Sequence, residues 1–98
     1  MTDLSPATAW RTRLRAELVA ARRARHSVRI AALRGALAAI ASEAERRELS
    51  DDQIHELVEA EITERLDAAD TVRTHGQHMR AEALRAEAEV LSDLLWCA

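Results

Sequence analysis

Leu49-Ser50-Asp51-Asp52-Gln53-Ile54 is the stretch that decides the fold. Ser50 followed three residues later by Gln53 has the spacing of a capping box, in which the serine oxygen accepts the backbone N–H of residue 53 and the glutamine side chain returns to the N–H of residue 50. Leu49 and Ile54 bracket it as the two halves of a hydrophobic staple. A helix therefore starts at Asp51, and Asp51 and Asp52 lie against the positive end of its dipole. Downstream, Ile54, Val58, Ile62, Leu66, Ala69 and Val72 recur at helical spacing and predict a buried face reaching His75, with Gly76 placed where the chain turns left-handed after a helix. Glu61 and Arg65, spaced i, i+4, read as a pair on the helix surface.

Past Gly76 a last helix is predicted from near Gln77 to about Leu95, with Leu84, Ala88, Leu91 and Leu95 on one stripe and Met79, Ala83, Ala86 and Val90 beside it. Before the capping box, Ile30, Leu33, Leu37 and Ile40 repeat at 3-4-3 spacing from an N-cap at Ser27 to an end near Arg46 or Arg47. Alanines at 31, 32, 36, 38, 39, 41 and 44 widen the apolar surface of this helix, so it is expected at the centre. Gly35 serves close approach by a neighbour at a helix-propensity cost of about 1 kcal/mol. Ser5-Pro6 opens the first helix, because serine caps an orphan amide and proline lacks only an N–H that would be unpaired there. That helix is predicted to run from Pro6 to Ala24, with Trp10, Leu14, Leu18 and Ala21 inward. Arg11, Arg15 and Arg22 form a row beside the stripe, where their stems cover apolar surface and their heads stay wet.

Composition agrees with four helices. Ala (21), Arg (14), Leu (12) and Glu (11) dominate 98 residues that include two Gly, one Pro and no Lys, Phe or Tyr. Sheets avoid this alphabet, so all-β and α/β folds are excluded. The length supports one domain, residues 1–98, with a lean core, since alanine buries little area. The expectation is all-α: a four-helix up-and-down bundle of two helical hairpins. A single Cys97 cannot form an internal disulfide, and the chain has neither a membrane-length apolar run nor a signal-peptide core. A cytoplasmic protein with no membrane association is expected.

The net charge of −3 hides a division. Residues 1–47 hold ten Arg against Asp3, Glu17, Glu43 and Glu45, whereas residues 48–98 hold four Arg against thirteen acids. The halves should attract. The densest segment, residues 11–34, has eight Arg opposed only by Glu17, and it either pairs with the acidic half or faces an anionic partner. Internal pairing and solvated faces are the simpler account, since a hairpin of opposite charge needs no further partner.

Catalytic constellations are missing. His75 and His78 have Gly76 between them and no third ligand at metal spacing, and His55 with Glu59 is the only other pair, so no metal is expected. Cys97 is next to last, Ser27, Ser42, Ser50 and Ser92 read as caps or surface residues, and two separated glycines cannot make a phosphate loop. Glu43 with Glu45 and Glu87 with Glu89 are two apart on helices and point away from each other. No cofactor is expected. Arginine without lysine suits bidentate phosphate contacts, although a high-GC coding composition gives the same bias. With no Tyr or Phe to stack on bases, only a mode that reads the phosphate backbone is supported.

Several segments together carry a resemblance. In order they are Leu14-Arg15-Ala16-Glu17-Leu18 with Ala20-Ala21-Arg22; Val28 to Arg34 with Leu37-Ala38-Ala39-Ile40; Glu48 to Ile54; Glu61-Ile62-Thr63-Glu64-Arg65; Gly76-Gln77; and Ala86 to Leu91. Over about residues 10 to 95 the chain resembles the N-terminal helical half of YqeY-like proteins, the GatB/YqeY family. In the family a second small helical domain follows, whereas here Leu94-Leu95-Trp96-Cys97-Ala98 ends the chain. The resemblance therefore implies a half-length member without the C-terminal helical domain. The family tends to carry an acidic residue at the turn where this chain has His26-Ser27, so that helix start is rebuilt.

The resemblance implies a bacterial protein related to the tail of the GatB subunit of the tRNA-dependent amidotransferase, where the tail contacts tRNA and the chemistry occurs in other domains. The family label, carbon–nitrogen ligase activity with glutamine as amido donor, has no matching catalytic residues here, so a non-catalytic interaction module is expected. Its implied partners are tRNA or a tRNA-handling enzyme such as the amidotransferase subunits. Arg22, Arg23, Arg25 and Arg29 are the expected phosphate-facing residues, and Arg34 is expected in a structural ion pair with Glu61 or Glu87. The alternative is a protein-interaction or homo-oligomerisation module with no nucleic-acid role, using an apolar patch of Trp10, Leu94, Leu95 and Trp96.

Overall fold

The computed structural model describes residues 5–96, with Cys97 outside the described residues. Four helices, α1 (Pro6–Arg23), α2 (Ser27–Ala44), α3 (Asp51–Thr74) and α4 (His78–Trp96), form the expected up-and-down bundle of two hairpins, α1–α2 and α3–α4. No helix among the described residues is long and apolar enough to cross a membrane.

The capping box at the start of α3 forms as its spacing predicts. Gln53 N–H donates to Ser50 Oγ at 3.1 Å, and Ser50 N–H donates to Gln53 Oε1 at 2.9 Å. Ser5 caps α1 with Pro6 in the first turn. At α2 the cap is His26 and not Ser27: Nδ1 of His26 accepts the Arg29 N–H at 3.3 Å, and Ser27 is the first helical residue. An imidazole nitrogen can replace a hydroxyl as acceptor, which the serine preference at N-caps does not reveal. The helix also stops at Ala44, short of Arg46 and Arg47, because the chain must turn before Leu49 can drop into the core.

The main core joins all four helices. Leu14 of α1, Leu33 and Ile40 of α2, Ile54 and Val58 of α3 and Leu91 of α4 are its largest fully sealed side chains, and Leu49 of the staple joins them. Truncating such a leucine or isoleucine to alanine costs about 2–5 kcal/mol, which ranks these positions above everything on the surface. A second, smaller cluster of Ala69, Ala81 and Leu84, flanked by Ala68 and Val72, draws only on α3 and α4. The open end of the α3–α4 hairpin thus packs on α1–α2 while its closed end packs on itself. This agrees with a long axis of 52 Å, well beyond the ~36 Å of the longest helix.

Two stripes differ from expectation. In α3, Leu66 is 43% exposed and Arg65 takes the inward position. The true seam runs through Ile54, Val58, Arg65 and Ala69, so a polar residue occupies a place that an apolar reading assigns to its neighbour. In α4, Leu94 and Glu87 lie in the buried stripe, Leu95 is only half-buried, and Met79 is fully out in solvent.

Candidate nucleic-acid interface

The first helical turn is built by a Schellman closure. Ala24 is the C-cap of α1; the His26 N–H reaches back to the Ala21 carbonyl at 3.0 Å, and the Arg25 N–H to the Arg22 carbonyl at 3.1 Å. These two bonds require the residue between to be left-handed, and Arg25 accordingly has φ +53°. Ala21 is drawn into the core, so the turn is pinned from below while Arg22, Arg23, Ala24, Arg25 and His26 are all exposed.

Three of the four arginines expected to face phosphate have this arrangement. Arg22, Arg23 and Arg25 are exposed and engage no acidic side chain among the described residues. Arg29 differs: its Nη2 sits 2.8 Å from Glu17 Oε2, a pair about one-third exposed on each side that ties α2 back to α1. Glu17 is the one acid within residues 11–34, and Arg29 takes it, leaving its neighbours uncompensated. Beside the turn runs an open groove of about 460 Å³ walled by Ala16, Ala20 and Ala24, with Glu17, His26 and Arg29 at its rim.

Arg34 does not form the structural ion pair expected of it. It is exposed and unpaired among the described residues, and the cation between Glu61 and Glu87 is Arg65. Arg65 Nε donates to Glu87 Oε1 at 3.0 Å, and Nη1 donates to Glu61 Oε1 at 3.0 Å and to the Glu61 carbonyl at 3.2 Å. Only 13% of the Arg65 side chain and 10% of the Glu87 side chain meet solvent. Gly35 is what admits this network. A Cβ there would run into the Arg65 guanidinium, so the glycine of α2 gives room to a side chain of α3. The i, i+4 spacing of Glu61 and Arg65 is legible in the sequence; that the pair faces α2 and recruits Glu87 is not.

The ion pairs also correct the attraction expected between the halves. Arg29–Glu17 and Arg47–Glu43 lie within residues 11–47, and Arg65–Glu61, Arg65–Glu87, Arg73–Asp70 and Arg85–Asp70 within residues 61–87. Among the described residues none crosses from one hairpin to the other. What crosses is Arg13, whose Nη2 donates to the Leu94 carbonyl at 3.3 Å near the end of α4 and whose guanidinium lies 5.2 Å from the Trp10 ring centroid. Among the described residues the hairpins are thus held by apolar burial, the Arg13 contact and the Trp10–His55 ring contact, and Arg22, Arg23 and Arg25 are left without an acidic partner.

The expected apolar patch is broken up. Trp10 is buried, with its ring edge-to-face on His55 at 5.6 Å, and Leu94 is buried in the main core. Leu95 is half-buried and packs against the same core, so of the four only Trp96, which is 85% exposed, is left in solvent. Sequence reasoning misses His55 as the partner of Trp10, since a pair spaced across two helices has no sequence signature. Among the described residues no three His, Cys, Asp or Glu side chains group as a metal site would need.

The comparisons with known proteins return one result. The family model described as YqeY-like protein matches residues 11–96, which takes in nearly all of the four helices and the whole basic turn. No curated protein and no solved structure matches. With nearly the entire chain covered by that one model, the chain belongs to the YqeY-like protein family.

Proposed function

We propose that this chain is a non-catalytic interaction module that holds the phosphate backbone of tRNA on its first helical turn. The observation that carries this reading is that Arg22, Arg23 and Arg25 stand exposed and without ion pairs among the described residues, although the chain has an excess of acid that could have neutralised them. Guanidinium groups suit phosphate because their fork meets two of its oxygens at once. Family membership supports the reading at one remove, through the resemblance to the amidotransferase tail. Neither tryptophan lies at the turn, which supports contact with backbone over stacking on bases.

The test is binding of a tRNA transcript at low salt by the parent chain and by the triple variant R22A/R23A/R25A. Affinity is expected to fall by roughly two orders of magnitude in the variant, and the log–log salt slope to flatten by about 0.7–0.9 for each phosphate no longer neutralised. Absence of binding by the parent, or a variant that binds equally well, overturns the reading.

Homo-oligomerisation, with no nucleic-acid role, is the second reading. Trp96 at the end of α4 favours it, as a large apolar side chain left in solvent. Sedimentation of the parent and of Trp96→Ala separates the two: a monomer in both removes this second reading.

A further inference from the structure

The two hairpins close on the same pair of hydrogen bonds with different residues at the left-handed position. At the end of α3, the Gln77 N–H meets the Val72 carbonyl at 2.9 Å and the Gly76 N–H meets the Arg73 carbonyl at 3.0 Å, with Gly76 at φ +81°. At the end of α1 the matching bonds put Arg25 at φ +53°, the one non-glycine residue with positive φ among the described residues. Left-handed backbone crowds a Cβ against the following carbonyl, and glycine avoids this. The chain therefore uses the favourable residue at one turn and an unfavourable one at the other.

Packing does not account for Arg25. Its side chain is exposed and makes no hydrogen bond or ion pair among the described residues, so the fold gains nothing from the guanidinium that would offset the backbone conformation. The residue sits at the apex of the turn, beyond Arg22 and Arg23. Next to it, His26 uses Nδ1 to cap α2, which places the ring N–H of that tautomer on Nε2.

We propose that Arg25 is kept in this conformation as the principal phosphate contact of the turn, with His26 Nε2–H as a second donor to the same backbone phosphate. The proposal rests on the RNA-binding reading above and deepens it. The arginine follows the end of α1 with its side chain exposed and without an ion pair among the described residues, and the ligand it fits is an unesterified oxygen pair on a phosphodiester. A non-glycine residue in left-handed backbone that forms no polar pairing among the described residues has the pattern of a binding residue.

The decisive variant is Arg25→Gly, because the proposal requires stability and affinity to move in opposite directions. The melting temperature is expected to rise by about 4 °C as the backbone conformation is relieved. Affinity for the tRNA transcript is expected to fall roughly fivefold to tenfold, with the salt slope flattening by about 0.7–0.9. Arg25→Lys, which keeps a cation on the same backbone, should retain most of the affinity and show no rise in melting temperature. His26→Asn keeps an N-cap acceptor and should weaken binding about twofold to threefold at unchanged melting temperature. An R25G chain that binds with parental affinity and slope overturns the proposal while leaving the RNA reading intact. A melting temperature that fails to rise overturns the conformational half of it, and a parent that binds no RNA overturns both readings together.

Discussion

The α1–α2 and α3–α4 hairpins solve the same geometric problem with opposite uses of charge and backbone. The α3–α4 hairpin closes on Gly76 and binds most of its arginines, with Arg65 between two carboxylates and Arg73 and Arg85 sharing Asp70. The α1–α2 hairpin closes on Arg25 in the conformation glycine prefers, and leaves Arg15, Arg22, Arg23, Arg25 and Arg34 exposed and without ion pairs among the described residues. One hairpin engages most of its arginines in ion pairs and turns on a glycine, and the other leaves most of its arginines exposed and turns on an arginine. Two hairpins of one chain thus separate arginines that the fold pairs with carboxylates from arginines that stand exposed without such partners among the described residues.

The contrast breaks most easily at Arg65. Replacing it with alanine strands Glu61 and Glu87 close together with little access to water, and a loss of about 3 kcal/mol is expected in denaturant unfolding. If R65A costs less than about 1 kcal/mol, the acidic hairpin does not depend on its paired arginine and the contrast fails. A smaller effect comes from giving the second turn the residue of the first. Gly76→Arg places a Cβ at φ +81°, where there is open space but the wrong backbone, and should lower stability by about 1 kcal/mol without creating RNA affinity. A gain in affinity from G76R would show that any cation on a hairpin end suffices, which would remove the special standing of the first turn. Smallest of all is Arg29→Ala. Its pair with Glu17 is one-third exposed, so thermal unfolding should shift by less than the equivalent of about 1 kcal/mol.

Much of this arrangement is legible in the sequence, and the exceptions have common causes. Capping, turn chemistry and apolar periodicity are local, and they place all four helices to within a few residues. The misassignments are of two kinds. Periodicity counts apolar residues and so puts Leu66 inside and Arg65 outside, while the inward position goes to a cation whose charge is satisfied by Glu87 from another helix. Charge complementarity between halves carries no information on which arginine reaches which carboxylate, and so it gives Arg34 the role that Arg65 fills. Gly35 is a point of close approach as its place in α2 predicts, but what approaches is a guanidinium and not a helix backbone. At the candidate site, the sequence brings Arg22, Arg23 and Arg25 together. The strain at Arg25 and the cap at His26 depend on which residue falls between two hydrogen bonds, and a shift of one position hides both.

The small cluster at the closed end of α3–α4 has a consequence for how the molecule comes apart. Ala69, Ala81 and Leu84, with Ala68 and Val72, offer far less apolar area than the main core, and no residue of α1 or α2 joins them. The stretch beyond the Arg65 network is therefore expected to open at a lower local free energy than the main core, fraying and re-forming while Leu14, Leu33 and Ile40 stay sealed. Its amides are expected to exchange with solvent through excursions that leave the basic turn intact, so the end of the molecule expected to open first and the end proposed to grip RNA are on different hairpins.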